Sequence, residues 1–201
     1  MRGARFTLRD MDNNTALLVV DIQDSFKIDP ARWARRNNPA FERNVTDLIA
    51  AFREASLPVF FILHNDSDPG FRPGDPEVRL MEFLERREGD PIVLKNTRNA
   101  FTSTDLQQRL DAMRVRRVVV CGISTEQCCE TTTRVAADLG YDVDFVTEAT
   151  ATFPIVTPAG VLATDAIVER TEAALRGRFA RILTVSEVRN EVMQETLVSA
   201  K

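Results

Sequence analysis

One histidine in 201 residues rules out a good deal of chemistry. No multi-histidine metal site can be built, and any Ser–His or Cys–His scheme must use His64. Cysteine is nearly as scarce. Cys121, Cys128 and Cys129 make an odd count without paired spacing, which points to a reducing cytoplasm rather than a disulfide framework. No apolar run reaches the roughly eighteen residues of a membrane span. Residues 1–14 carry three arginines but no apolar core, so they read as an N-terminal arm and not a secretory signal. Excess charge of one sign is also missing. Net charge is -4 with both signs interspersed, and no basic stripe offers itself to nucleic acid.

What remains is ordinary globular material, 44% hydrophobic and 28% charged, enough for one buried core and short for two. The whole chain, 1–201, reads as a single domain. Short, nearly continuous apolar runs recur at Thr15–Val20, Pro58–Leu63, Pro91–Leu94, Arg117–Cys121, Tyr141–Val146 and Arg181–Val185. Such runs suit strands covered on both faces. Helical patterns lie between them: Phe41–Ser56, Val78–Leu84, Thr104–Met113, Thr125–Leu139 and Ala159–Leu175. The alternation predicts an α/β fold: a three-layer, doubly wound, mostly parallel six-stranded sheet with helices on both faces. The Gln23–Pro39 and Asn65–Pro76 segments are loops long enough to carry function.

Ligands of such sheets bind outside the carboxyl ends of the strands. Asp21, His64, Lys95 and the Gly122–Cys128 turn stand at those ends. Cys128 would fall in the first turn of a helix, where the N-terminus and a nearby cation favour thiolate. Asp21 could take the thiol proton and later return it to a leaving group. Each residue also has a plain structural reading. Cys128 and Cys129 could be core, Asp21 a turn residue, Lys95 a solvated side chain, and His64 a hydrogen-bonded sheet-edge residue. Ser124-Thr125-Glu126-Gln127 reads as a capping box. Cys121 reads as a small core residue, and Cys129 as packing beside Cys128.

Together, Leu17-Leu18-Val19-Val20-Asp21-Ile22-Gln23-Asp24-Ser25-Phe26, Lys95 and Gly122-Ile123-Ser124-Thr125-Glu126-Gln127-Cys128 resemble the isochorismatase-like cysteine hydrolases. The likeness runs from about Thr15 to Val188 and includes Glu148–Phe153 and Ala180–Val185. The resemblance implies that Cys128, six residues after Gly122, is the nucleophile of an Asp21/Lys95/Cys128 triad. It further implies an oxyanion hole from the N–H groups of Ser124 and Cys128, and a cis peptide at Ile123–Ser124. A small-molecule substrate, no cofactor, and a homodimer or homotetramer are expected. Phe26, Phe101 and Phe153 follow the matched motifs and, with His64, are candidate pocket walls. Arg72 and Arg98 are candidates to recognise a carboxylate.

Nicotinamidase members carry an aspartate-and-histidine metal site. Here no Asp-x-His pair follows Asp21, and Asn65 follows His64, so neither a metal nor nicotinamide is expected. Isochorismate-cleaving members often lack the cysteine. The reading is a cysteine hydrolase that cleaves a C–N bond of a small amide, ureide or carbamoyl compound. Vinyl-ether hydrolysis with Asp21 as acid, or a non-catalytic binding member, are the alternatives.

Overall fold

The computed structural model describes residues 14–199, with side chains of the last helix as far as Gln194. The arm at 1–13 lies outside the described residues. Six strands form one parallel sheet: β1 (Thr15–Val20), β2 (Val59–His64), β3 (Ile92–Lys95), β4 (Arg117–Ile123), β5 (Asp142–Ala151) and β8 (Arg181–Ile182). Their order is β3-β2-β1-β4-β5-β8. The two-residue period of a strand explains the double burial of β1. Leu17 and Val19 enter one core; Ala16, Leu18 and Val20 enter the other. Full burial of each Leu or Val contributes roughly 1.5–3 kcal/mol.

Helices α2 (Phe41–Glu54) and α6 (Val185–Ser199) cover the first face. Phe41, Val45, Leu48, Ile49 and Phe52 form a helical stripe against it, joined by Val188 and Val192. The opposite face receives α3 (Leu106–Ala112), α4 (Glu130–Asp138) and α5 (Thr164–Leu175) through Leu106, Leu110, Ala136 and Leu175. A short α1 (Pro30–Ala34), capped by Asp29 Oδ1 on the Arg32 N–H, lies inside the first long loop. The chain winds outward from β1 to β3, then from β4 to β8, so the direction reverses between β1 and β4. A ligand crevice is expected at the carboxyl ends of those two strands.

Four expectations change. Val78–Leu84 is not a helix. Its backbone is committed elsewhere, because the N–H groups of Asp24 and Met81 donate to the carbonyls of Arg79 and Ile22. Met81 meanwhile fills the first core. Ala159 does not open a helix either. A hairpin of β6 (Ile155–Thr157) and β7 (Gly160–Leu162) turns at Pro158–Ala159, and Gly160 takes φ +127 there. Strand β8 stops at Ile182 because α6 begins at Val185, and α6 itself was not foreseen. Its start is a reciprocal capping box: Glu187 Oε2 accepts the Thr184 N–H at 2.8 Å, and Thr184 Oγ1 accepts the Glu187 N–H at 3.1 Å. The box proposed at Ser124 is absent, since Ser124 caps nothing and the Gln127 amide donates to Glu126 Oε1.

Candidate active site

Cys128 follows β4 in a turn with no freedom in its entry. Gly122 has φ +134, and a Cβ there would lie 1.9 Å from the Val20 carbonyl oxygen. Only glycine lets β4 approach β1 so closely at the crevice. The Ile123–Ser124 peptide is cis. Residues Thr125–Cys129 then form a π-helical turn, in which the Cys129 N–H reaches back to the Ser124 carbonyl at 3.2 Å. Such turns occur often at functional sites. Thr125 Oγ1 donates to Thr150 Oγ1 at 2.8 Å and Thr152 Oγ1 to Glu126 Oε2 at 2.6 Å, tying the turn to the end of β5. Behind it the buried Glu130 carboxylate meets Arg134 and Arg170.

Asp21 follows β1 with φ 53, a conformation that Asp tolerates better than most residues. Lys95 closes β3 directly opposite His64 in register. Both Asp21 and Lys95 are buried, and Lys95 Nζ lies 2.7 Å from Asp21 Oδ2 and 3.4 Å from Cys128 Sγ. Further contacts run from Nζ to His64 Nδ1 and to the Thr97 carbonyl, each at 3.2 Å. Three strands thus bring carboxylate, ammonium and thiol together, well inside the roughly 6 Å over which direct charge coupling operates. Asp21 Oδ1 is buried with no nitrogen or oxygen partner among the described residues, an acceptor left to the neighbouring thiol.

The electrostatics correct one expectation. The Cys128 thiol is pushed up to about 12, first by burial and then by the Asp21 carboxylate, and Lys95 only partly opposes this. Burial and a neighbouring anion outweigh the cation and the helix start, so the resting group is a thiol. Cys129 is fully buried and its thiol is likewise raised, by burial above all. Cys121 sits in the core, its Sγ 3.7 Å from the Leu18 carbonyl. His64 is pushed below its ordinary value by burial first and Lys95 second, so its ring is neutral at pH 7. Asp66 is held at about 2, chiefly by the Ser67 N–H and then by His64.

A cavity of about 130 Å³ opens at Cys128, with Phe26, Phe71, His64, Arg32 and Arg98 among its walls. Larger hollows of about 390 and 580 Å³ lie elsewhere, and neither is lined by a cysteine, lysine or histidine. Phe153 stacks behind Phe26 at 6.1 Å, and the Arg32 guanidinium lies 4.3 Å above its ring. Phe101 is not brought to the cavity. Its ring stacks on Tyr141 at 6.0 Å within the second core. Arg72 is turned away as well, bonded to the Ser67 carbonyl of its own loop. Among the described residues no three His, Cys, Asp or Glu side chains gather to hold a metal ion. No helix among them is long and apolar enough to cross a membrane.

Some participants were not foreseen. Gln23 is buried; its amide oxygen accepts the His64 N–H at 2.7 Å and its amide nitrogen donates to the His64 carbonyl at 3.0 Å. Asn38 Nδ2 donates to the carbonyls of Glu148 and Thr150 at 2.7 and 2.9 Å, fastening the first long loop to β5. Arg32 and Asp66 complete the cavity wall. The position of Gln23, two residues after Asp21, was a usable signal; the others depend on tertiary proximity alone.

With this geometry in view, comparison with known proteins is informative. The isochorismatase domain model matches residues 15–187. The chain belongs to the isochorismatase family. Nicotinamidase 3 of Arabidopsis thaliana is 34% identical over 167 residues, covering 74% of this chain and 80% of that protein. A putative isochorismatase-family hydrolase from Chromobacterium violaceum superposes with TM-score 0.84 at 29% identity, over 96% of this chain and all of the other. A cysteine hydrolase from Pseudomonas syringae gives TM-score 0.82 at 25% identity, over 91% and 94%. The protein is therefore an isochorismatase-family hydrolase with the α/β architecture of its relatives.

Proposed function

We propose that this hydrolase cleaves the C–N bond of a small amide, ureide or carbamoyl compound through a Cys128 acyl-enzyme. The observation that carries the reading is Lys95 Nζ lying between the Asp21 carboxylate and the Cys128 sulfur, at 2.7 and 3.4 Å, with Cys128 in the wall of a cavity. Because the resting thiol is protonated, its proton must leave as sulfur attacks. Asp21 accepts it, and Lys95 compensates the negative charge left on sulfur. The tetrahedral oxyanion is held by the N–H groups of Ser124 and Cys128. As the C–N bond breaks, Asp21 returns the proton to the departing nitrogen. Water, deprotonated by Asp21, then hydrolyses the thioester and releases acid and free thiol. In this reading the enzyme works as a homodimer or homotetramer, which light scattering on the purified protein measures.

The names of the plant and Pseudomonas relatives, a nicotinamidase and a cysteine hydrolase, support amide chemistry by a thiol. The deciding experiment follows ammonia release from a panel of small amides and ureides, nicotinamide included. Wild type should turn over at least one of them and trap a covalent adduct at Cys128. Cys128→Ala should abolish both. Cleavage of a vinyl ether that survives Cys128→Ala, without amide turnover in the wild type, points instead to Asp21 acting as acid, and inactivity of both proteins on amides and vinyl ethers points to a binding member.

A further inference from the structure

Lys95 Nζ has four polar neighbours and three hydrogens to donate. Asp21 Oδ2 at 2.7 Å and the Thr97 carbonyl at 3.2 Å are fixed acceptors. One N–H remains, and both His64 Nδ1 at 3.2 Å and Cys128 Sγ at 3.4 Å lie within its reach. Where it goes depends on the imidazole. A neutral ring carries a proton on one nitrogen and a lone pair on the other.

With the proton on Nε2, the ring donates to Asp66 Oδ2 at 3.2 Å, and the Nδ1 lone pair takes the Lys95 N–H. With the proton on Nδ1, the lone pair sits at Nε2, where Arg98 Nη1 donates into it from 2.7 Å. Nδ1–H cannot accept, so the spare Lys95 N–H turns to Cys128. The two arrangements exclude each other, because one lone pair cannot serve both cations. Arg98 keeps its Asp66 pairing, 2.7 Å through Nη2, in either case.

We propose that His64 is a positioning residue whose tautomer, chosen by Asp66 and Arg98, apportions one Lys95 N–H between the imidazole and the Cys128 sulfur. The proposal rests on the reading of Cys128 as nucleophile. Asp66 and Arg98 line the same cavity as Cys128, so a ligand that engages either of them also changes the reactivity of the thiol. The charged groups that act on the ring come from every neighbouring element: Lys95 from β3, Asp21 beyond β1, Asp66 from the loop after β2, and Arg98 from the loop after β3. Phe71 closes its edge at 6.1 Å, and Cys128 is reached through Lys95.

The test is the pH profile of iodoacetamide alkylation, read at Cys128 by peptide mapping. His64→Leu removes the competing acceptor, so the profile should move to lower pH by about one unit, roughly a tenfold faster reaction on its rising limb. Arg98→Met leaves the proton on Nε2 and should move the profile the other way. In the His64→Leu background Arg98→Met should add nothing, which separates the tautomer effect from simple loss of a cation. His64→Asn, whose amide oxygen can still accept from Lys95, should stay near wild type. Unchanged profiles in His64→Leu and Arg98→Met, or an Arg98→Met shift that persists in the double variant, overturn the proposal. Arg98 is half-exposed, so an unchanged Arg98→Met profile overturns the proposal even if a buried His64 substitution does not fold. Because alkylation needs no substrate, failure here is distinct from failure of the amidase reading, which Cys128→Ala decides.

Discussion

Burial and the Asp21 carboxylate push the Cys128 thiol up, and that direction sets what to expect of the free enzyme. Alkylation of the wild type at pH 7 should be slow and should climb steadily into the alkaline range; a plateau reached below pH 8 would contradict the buried-thiol state. The same raised value bears on stability. A thiol whose folded value is about 12 against an ordinary 9.0 contributes full stability below pH 9, lost as pH rises from there through 12. Cys129 shifts in the same direction, so urea midpoints should fall above pH 9, and less steeply in Cys128→Ala. Asp21→Asn keeps the shape but cannot accept the thiol proton, and amide turnover should fall by about 10²–10⁴. An Asn variant within tenfold of wild type would exclude Asp21 as the base. Gly122→Ala forces a Cβ into the Val20 carbonyl and should lose more than about 2 kcal/mol in urea titrations.

At the scale of elements, the loop before α2 is fastened to β5 by side-chain amides, beside the packing of Phe26, Arg32 and Trp33 on Phe153 just beyond the strand. Asn38→Ala removes two bonds to β5 carbonyls and should cost about 1–3 kcal/mol. KM should rise more than kcat falls, because that loop carries Arg32 to the cavity, and steady-state kinetics distinguishes the two. The central strands were legible because β1, β2 and β4 are nearly continuous apolar runs between helical covers, whereas the edge strand β3, expected to be covered on both faces, turns Ile92 and Leu94 to solvent. The failures have specific causes. Val78–Leu84 has helix-like apolar spacing, yet its backbone hydrogen bonds are drawn into pairing with Ile22–Ser25, a contact visible only in three dimensions. Three Ser/Thr-x-x-Glu/Gln sequences occur among the described residues, at Thr104, Ser124 and Thr184. The one at Thr184 is formed and was overlooked, whereas the one at Ser124 was proposed and is not formed. Thr184 precedes a free-standing helix start, while Ser124 lies in a π-turn whose carbonyl is claimed by the Gln127 and Cys129 N–H groups. Asp21, Lys95 and Cys128 could be read because motifs mark them. Asp66 and Arg32 could not, since they meet the cavity from loops with no distinguishing pattern.

At the scale of the whole molecule, the chemistry-bearing groups among the described residues sit at the carboxyl ends of a parallel sheet, and the loops that carry Arg32, Asp66 and Phe71 lie beyond it. Gln23 makes this separation concrete. By donating to and accepting from the His64 main chain, its amide behaves as an extra rung of the ladder and clamps the end of β2 to the segment after β1. Residues 67–91, between that clamp and β3, reach the cavity through Asp68 and Phe71 and the first core through Met81 and Leu84. Changes at the exposed Asp68 can therefore redraw the pocket entrance while the nucleophile, its base and its ammonium, held at the ends of β4, β1 and β3, keep their spacing. One scaffold with this division can diversify its specificity without having to rediscover its reaction.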